Sequence, residues 1–206
     1  MLGYGSLLSA DSRERHSDHA HAAFAVSVKG FSRGWVTRAY HENQTYVGAE
    51  PASDSYLNAL CTPIALNPKF QQRERDYQFK AVGLEQISFL EDIPSEYLQR
   101  IKRPGVTLWI CESLDIAPAS VEYPVYLSYV DTCLAGCLSH FANLDEGLDA
   151  ARTFLQTTHG WQHVIDDRAN PQYPRRANVS REHQHMISSL LNQHNISVRD
   201  FLHANT

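Results

Sequence analysis

The hydrophobic and polar residues of this chain follow one period in its first half and another in its second half. In residues 22–40 and 46–65, apolar and β-branched residues recur between Gly, Pro, Asn and Asp, as they do in strands with tight connections. Residues 79–90 alternate loosely, and residues 106–111 form a further apolar run after a Pro-Gly turn. The first half therefore predicts several strands that form a sheet or barrel.

The second half has the spacing of helices. Apolar residues with a helical period occupy residues 126–141, 148–161 and 182–191. Residues 166–176 interrupt them, because two prolines and dense charge exclude a regular helix or a central strand and predict an ordered loop. Strands followed by helices predict an α+β fold.

Two polar segments of the first half are expected to be short helices or loops. Residues 9–21 suit an exposed loop or a short helix. Asn67 and Pro68 resemble a helix start, which predicts a helix over residues 71–75 with Glu74 near its end.

Length and composition indicate one folded unit. A chain of 206 residues with 43% apolar and 20% charged residues has the composition of a globular domain. It contains no internal repeat and no linker rich in Gly or Ser. We therefore expect a single domain over residues 1–206, with a barrel core and the site in 1–122 and a helical elaboration in 123–206.

Charge and hydropathy exclude several classes of function. A formal net charge of -5 provides no general attraction to a polyanion, so nucleic acid is not an expected partner. No apolar stretch approaches the ~18–20 residues of a membrane span, and the first residues do not resemble a signal peptide. We expect a cytoplasmic protein that binds neither nucleic acid nor a membrane, and the sequence leaves its oligomeric state open.

Metal-binding patterns are weak. The four cysteines include no CxxC pair and are interpreted as small buried hydrophobic residues. Five histidines lie close together in two segments, namely His16, His19, His21, His183 and His185. They lack Cys or carboxylate partners at the spacing of a known site. A histidine-based metal protein is thus a remote alternative, and neither a metal nor a cofactor is expected.

Two segments contain residues suited to anion binding or to proton transfer. Tyr4, Gly5 and Ser6 are typical of a turn at a strand end, where successive backbone N–H groups converge on an anion such as a carboxylate. Glu74 stands between two arginines, as many solvated surface glutamates do. If the Glu74 side chain instead points into an apolar pocket, the loss of water raises the pKa of its carboxyl into the range suited to proton transfer. Neither segment is specific by itself.

Together, these segments resemble the gamma-glutamylcyclotransferase family in order and spacing. The resemblance rests on Y-G-S-L-L from Tyr4, V-K-G-F-S-R-G-W from Val28, L-C-T-P-I from Leu60, and R-E-x-x-Y formed by Arg73, Glu74 and Tyr77. It covers about the first half of the chain. The C-terminal segment D-D-R-x-x-P-x-Y-P-R looks like an elaboration of some bacterial relatives.

The resemblance implies a small mixed β-barrel with flanking helices and a helical C-terminal part. It also implies a lyase or acyltransferase of the kind found in glutathione metabolism, which needs no cofactor. Such an enzyme forms 5-oxoproline from a small gamma-glutamyl compound by attack of the α-amine on the γ-carbonyl. Glu74 is then the general base and acid, and Tyr4, Gly5, Ser6 and Leu7 hold the gamma-glutamyl group. Leu7 stands where many relatives carry asparagine, so a side-chain amide contact is missing.

Arg33 and Tyr77 have two interpretations each. Arg33 either pairs with a substrate carboxylate or is an ordinary surface arginine at a strand end. Tyr77 either hydrogen-bonds the substrate or Glu74, or packs at the start of a strand.

The loop over residues 166–176 also has two interpretations. Its residues Asp167, Arg168, Tyr173 and Arg175 either extend substrate recognition or form an internal network that fastens the last helix to the barrel, and we favour the network. The alternative to an enzyme is a non-catalytic protein of the same fold, which binds a small ligand or a partner without turnover.

Overall fold

The computed structural model describes residues 1–17, 21–64 and 67–200. Its strands are β1 (Leu2–Gly3), β2 (Phe24–Ala39), β3 (Gln44–Cys61), β4 (Tyr77–Val82), β5 (Ile87–Phe89), β6 (Leu108–Ser113), β7 (Val125–Tyr126), β8 (Thr158–His159), β9 (Val164–Asp166) and β10 (Val198–Asp200). Its helices are α1 (Ala10–Ser17), α2 (Pro68–Arg73), α3 (Ser95–Ile101), α4 (Leu127–His140), α5 (Leu144–Gln156) and α6 (Arg181–Gln193). Single 3-10 turns occupy Ser6–Leu8 and Leu84–Gln86.

A mixed seven-stranded sheet, curled into a half barrel, forms the centre of the protein. The strand order is β4-β6-β1-β3-β2-β5, and β8 also pairs with β2. Leu2 of β1 lies opposite Cys61 of antiparallel β3 and opposite Ile110 of parallel β6. Because β1 has only two residues, the turn that follows it starts from the middle of the sheet. The expected α+β fold with a mixed, curled sheet and flanking helices is confirmed.

Strands β2 and β3 are longer than the sequence pattern predicts. Several strands are expected in residues 22–40 and 46–65, whereas the structure forms two long antiparallel ones, and residue 65 lies outside the described part. Gly30 lies at a shift in their register with a φ of 87°, a left-handed conformation that glycine adopts without steric cost. The glycine that suggested a turn therefore marks a bulge inside a strand.

The helices of the second half follow the prediction with one adjustment. α4 and α6 cover the segments predicted for them, and α5 begins at Leu144 and ends at Gln156 instead of continuing to Trp161. Strand β8 takes the place of that helix end, because Thr158 pairs with Arg33 of β2. In the described part, no helix has the length and apolar character needed to cross a membrane.

The first half contains more helix than its pattern suggests. α1 forms within residues 9–21, α2 begins at Pro68 with Asn67 as its N-cap, and Glu74 is the C-cap of α2, close to the predicted position at the helix end. Helix α3 is not anticipated by the sequence pattern. The order is thus not strictly strands first and helices later.

Helix α4 forms the interior support of the molecule, since nearly all of its residues are buried. It carries Cys133 and Cys137, which face the core as predicted. A Cβ atom built on Gly136 would lie 2.5 Å from the carbonyl carbon of Leu8. Only a residue without a side chain permits this contact, and it brings α4 directly against the turn that follows β1.

The C-terminal part contributes to two sheets. β8 joins the main sheet, while β7, β9 and β10 form a small parallel sheet that the helical pattern did not reveal. The division between 1–122 and 123–206 stays a prediction, and residues 201–206 lie outside the described part.

The loop over residues 166–176 is ordered by an internal network. Asp167 accepts hydrogen bonds from the backbone N–H of Ser128 at 2.7 Å and from its hydroxyl at 2.6 Å, and so caps the start of α4. Arg168 makes two bonds of 2.7 Å to Asp131 and one of 2.8 Å to Ser188 on α6. For Asp167 and Arg168, this is the fastening network favoured from the sequence.

Arg33 is fully buried, not a surface residue at a strand end. Its guanidinium donates to backbone and side-chain oxygens of Tyr4, Asn58, Phe154, Thr157 and Thr158 at 2.7–3.2 Å. Burial lowers the pKa of Arg33 to about 10. Because these acceptors come from β3, α5, β8 and the turn, Arg33 joins the sheet to the C-terminal part.

Replacing Arg33 with lysine is expected to lower the free energy of unfolding by about 2–4 kcal/mol, because an ammonium group reaches fewer acceptors and leaves buried oxygens without donors. Urea denaturation followed by tryptophan fluorescence measures the loss. Arg38→Lys on the same strand is the control, since Arg38 donates to an exposed carbonyl, and its effect should stay below about 1 kcal/mol. Equal losses would contradict this role of Arg33.

The cysteines should be unreactive in the native protein. All four are buried, and burial raises the pKa of each thiol, in the case of Cys137 to about 12. The thiolate that reacts with Ellman's reagent is therefore scarce and inaccessible near neutral pH. We expect the reagent to titrate almost no thiol in the folded protein and four after denaturation. Fast reaction of one thiol without unfolding would overturn this assignment.

Candidate active site

The turn after β1 presents backbone N–H groups at the centre of the sheet. Within it, the N–H of Leu8 donates to the carbonyl of Gly5 at 2.9 Å, and the N–H groups that open a helical turn have no partner inside it. A Cβ on Gly5 would lie 2.6 Å from Val47 Cγ1 and 3.1 Å from the hydroxyl of Tyr129. Gly5 is therefore required by close packing, and the turn is held in one position.

Glu74 reaches the same place from α2. It is only 8% exposed, so it is not the solvated surface residue that its arginine neighbours suggested. Its Oε1 lies 3.3 Å from Nε of Arg73, and the ion pair offsets part of the cost of burying both charges. Burial, followed by the charge and hydrogen bond of Glu74, raises the pKa of Cys111 well above its usual value, which places a protonated thiol beside the carboxylate.

A small cavity separates the turn from Glu74. It is lined by Leu2, Gly3, Tyr4, Gly5, Ser6, Leu7, Val47, Glu74, Tyr77, Cys111 and Tyr129. The empty volume between these residues, including the open mouth, is ≈ 290 Å³. Because this figure includes solvent at the mouth, the enclosed space beside Glu74 is smaller.

Ser6 is held by two hydrogen bonds that determine the direction of its own hydroxyl hydrogen. Nη2 of Arg73 donates to Ser6 Oγ at 2.7 Å, and the hydroxyl of Tyr173 donates to it at 2.7 Å. A hydroxyl oxygen accepts two hydrogen bonds and donates one. Both acceptor positions are filled, and no acceptor for the Ser6 hydrogen is present among the described residues. The hydrogen is thus free to point into the cavity that Ser6 lines.

Arg73 also connects the turn to α1. Its Nη1 donates to Ser17 Oγ at 2.7 Å and to the carbonyl of Ser12 at 3.3 Å. One buried guanidinium therefore contacts Ser6, Glu74 and α1 together. This residue was quoted from the sequence only as part of a motif, and the signal that identifies it is its place directly before Glu74.

The tyrosines of the cavity are tied to backbone carbonyls. The hydroxyl of Tyr4 donates to the carbonyl of Cys111, and that of Tyr77 donates to the carbonyl of Val47 at 2.7 Å. Burial raises the pKa of both hydroxyls well above the usual value, so both stay protonated. The ring of Tyr77 lines the cavity, and its hydroxyl is already bonded within the protein.

The far wall comes from the C-terminal part. Tyr129 of α4 lies in a parallel stack with Tyr173, with ring centroids 3.9 Å apart, and Tyr46 packs edge-on against both. The guanidinium of Arg175 lies 4.8 Å from the Tyr46 ring and 5.4 Å from the Tyr173 ring. No local pattern identifies Tyr129, because its spacing is that of any core residue in a helix.

The structure brings most of the predicted site residues together. Tyr4, Gly5, Ser6, Leu7, Glu74 and Tyr77 all line the one cavity. Arg33 does not, because its guanidinium is used entirely for internal hydrogen bonds. The Arg33 guanidinium is therefore not free to pair with a substrate carboxylate.

Metal ligands are not assembled in the described part of the chain. No three His, Cys, Asp or Glu side chains there form a group that could hold an ion. His19, one of the histidines considered from the sequence, lies outside the described residues.

Comparison with known proteins supports the architecture. No protein-family model and no curated protein sequence matches the chain. A solved structure titled gamma-glutamyl cyclotransferase is similar, with a TM-score of 0.53 and 10% sequence identity over 91% of this chain and 96% of that one. At this identity the likeness concerns the fold alone. The chain therefore has a gamma-glutamylcyclotransferase-like fold.

Proposed function

We propose that the protein is a cyclotransferase that converts a small gamma-glutamyl compound into 5-oxoproline and a free amine, with Glu74 as general base and acid. The observation that carries the proposal is that buried Glu74 and the turn at Gly5 and Ser6 line the same small cavity. The shared fold with a protein titled gamma-glutamyl cyclotransferase is consistent with it.

The first step is proton removal from the substrate. The α-ammonium of the glutamyl group must lose a proton before its nitrogen can attack the γ-carbonyl, and Glu74 is the buried carboxylate positioned to accept it. The attack is intramolecular and closes a five-membered ring. The protein therefore contributes chiefly by holding the substrate in a folded conformation. Binding then offsets much of the entropy that the substrate loses on reaching the reactive geometry.

The second requirement is stabilisation of the oxyanion. Negative charge develops on the γ-carbonyl oxygen as the new C–N bond forms, and donors fixed in advance lower the barrier to this step. The open N–H groups of the turn and the hydroxyl of Ser6 are the candidates, because Arg73 and Tyr173 hold Ser6 from outside the cavity.

The last step releases the amine. Over the reaction the α-nitrogen loses two protons and the leaving nitrogen gains two, as the amide C–N bond breaks. Glu74 transfers these protons and ends in the ionisation state in which it began. The ring closure involves no oxidation or reduction, so the proposed chemistry proceeds without a cofactor.

Glu74→Gln is expected to lower 5-oxoproline release by at least about 100-fold, because the amide cannot carry protons between the two nitrogens. The measurement is mass spectrometry of 5-oxoproline formed from a panel of gamma-glutamyl compounds. Glu85→Gln is the matched control, since Glu85 is exposed and outside the cavity lining, and it should retain full activity.

Two results would count against this proposal. Undiminished activity of Glu74→Gln would remove Glu74 from the chemistry. Silence of the unmodified, folded protein on the whole panel would favour the alternative of a ligand-binding protein without turnover.

Tyr173 and Ser6 should act as one unit. Ser6→Ala is expected to lower kcat by about 100-fold, and Tyr173→Phe by about 10-fold, because the latter keeps the stack on Tyr129 but no longer orients the Ser6 hydroxyl. In the double variant the Tyr173 change should add little, as a double-mutant cycle of turnover would show. Additive losses would mean that Tyr173 acts independently of Ser6.

A further inference from the structure

An apolar groove opens between α3, strands β4 and β6, and residues 61–64. Its empty volume, including the open mouth, is ≈ 1400 Å³, compared with ≈ 290 Å³ for the cavity beside Glu74. Among the described residues, the groove and that cavity have no lining residue in common. The aromatic rings of Phe79, Tyr97 and Trp109 contribute to its walls. The proposed cyclotransferase reaction uses none of them.

The groove has a fixed inner wall and an exposed apolar margin. Ile101 and Leu108 line it and are buried in the hydrophobic core, so this wall exists before any ligand binds. Phe79 and Trp109 are 38% and 40% exposed, and Val106 is 50% exposed. Large apolar side chains left open to water around a concave surface are typical of a binding site.

Polar atoms in the lining already have partners within the protein. The hydroxyl of Tyr97 donates to the carbonyl of Cys61 at 3.1 Å, and that of Thr62 donates to the carbonyl of Ala22 at 3.2 Å. The Met1 ammonium donates to the carbonyl of Thr62 at 2.9 Å. The groove therefore offers a ligand extensive apolar contact and few polar partners. A hydrocarbon chain meets this condition, because it has no polar group to leave unpaired.

A cation lies at the exposed margin of the groove. Among the described side chains of the lining, Arg100 alone is charged, and it is exposed. Lys102 and Arg103 follow it in the turn after α3. None of the three forms an ion pair within the described part of the chain, whose net charge as a whole is -5. Since a guanidinium binds a carboxylate through two parallel hydrogen bonds, this margin complements an acid attached to an apolar body.

We propose that the groove binds a free fatty acid of medium chain length, with its hydrocarbon chain along the inner wall and its carboxylate at Arg100. A concave groove between a helix, two strands and a loop admits a single chain, whereas the flat surface of a bilayer does not enter it. The proposal is independent of the cyclotransferase function, because the groove contains no residue assigned to that reaction.

The test is calorimetric titration of the protein with hexanoate, octanoate, decanoate and decan-1-ol, each below the concentration at which it aggregates. Every two methylene groups buried in the groove should increase the affinity by about 10-fold. Decanoate should bind more tightly than decan-1-ol, which has the same chain without the charge. Equal affinities of hexanoate and decanoate would overturn the proposal, and so would the absence of binding.

The variant Val106→Asp tests the position of the chain. It should weaken decanoate binding by at least about 30-fold, because it places a carboxylate in the apolar lining and repels the acid. Val121→Asp is the matched control, since Val121 is 62% exposed and outside the lining, and it should bind decanoate normally. Equal affinities of the two variants would place the ligand elsewhere and refute the proposal.

The variant Arg100→Gln tests the position of the carboxylate. It should lower the affinity for decanoate by about 5- to 10-fold and leave that for decan-1-ol unchanged, because only the acid uses the guanidinium. Arg181→Gln, a change of another exposed helical arginine, should affect neither ligand. Undiminished binding of decanoate to Arg100→Gln would contradict the assigned orientation.

Two other occupants of the groove give different results. A dimer that Val106→Asp converts into a monomer in sedimentation would assign the groove to a second copy of the chain. Cosedimentation with vesicles of phosphatidylcholine and phosphatidylglycerol, lost in the same variant, would assign it to a membrane surface. Either result would overturn the proposal of a free fatty acid.

Discussion

The geometry of the site depends on the hydrogen bonds and the ion pair of one buried guanidinium, that of Arg73. It donates to Ser6 on the turn, forms an ion pair with Glu74, and bonds to Ser17 at the end of α1. A buried arginine is stable only when its donors are satisfied, so these partners cannot move independently without a large cost in free energy. The separation between the turn and the carboxylate, which sets the size of the cavity, is therefore a property of the folded core.

The C-terminal part completes the site instead of merely covering the sheet. Asp167 caps α4, α4 supports the turn from behind through Gly136, and Tyr173 reaches Ser6. A loop with two prolines is suited to this task, because its limited backbone freedom lowers the entropy lost when its side chains are fixed. Tyr173, 167 residues further along the chain, thus holds the serine of the motif in its orientation.

The arrangement suits the proposed reaction, in which the substrate supplies its own nucleophile. Such a reaction needs a confined glutamyl group, one carboxylate to move protons, and donors for a single oxygen. Tyr4 and Tyr77 line the same cavity and keep their hydroxyl groups bonded to the backbone.

The sequence by itself determined the turn at Tyr4 to Ser6, the position of Glu74 at a helix end, and most helices, because caps, prolines and apolar periods act over a few residues. Tertiary structure decided which of these segments meet. The length of β2 and β3 and the place of β1 between two strands depend on pairing with distant residues. Arg33 looked like a surface arginine because its acceptors, such as Asn58 and Phe154, lie far away in sequence. Burial of a charge is determined by such partners, which no local pattern contains.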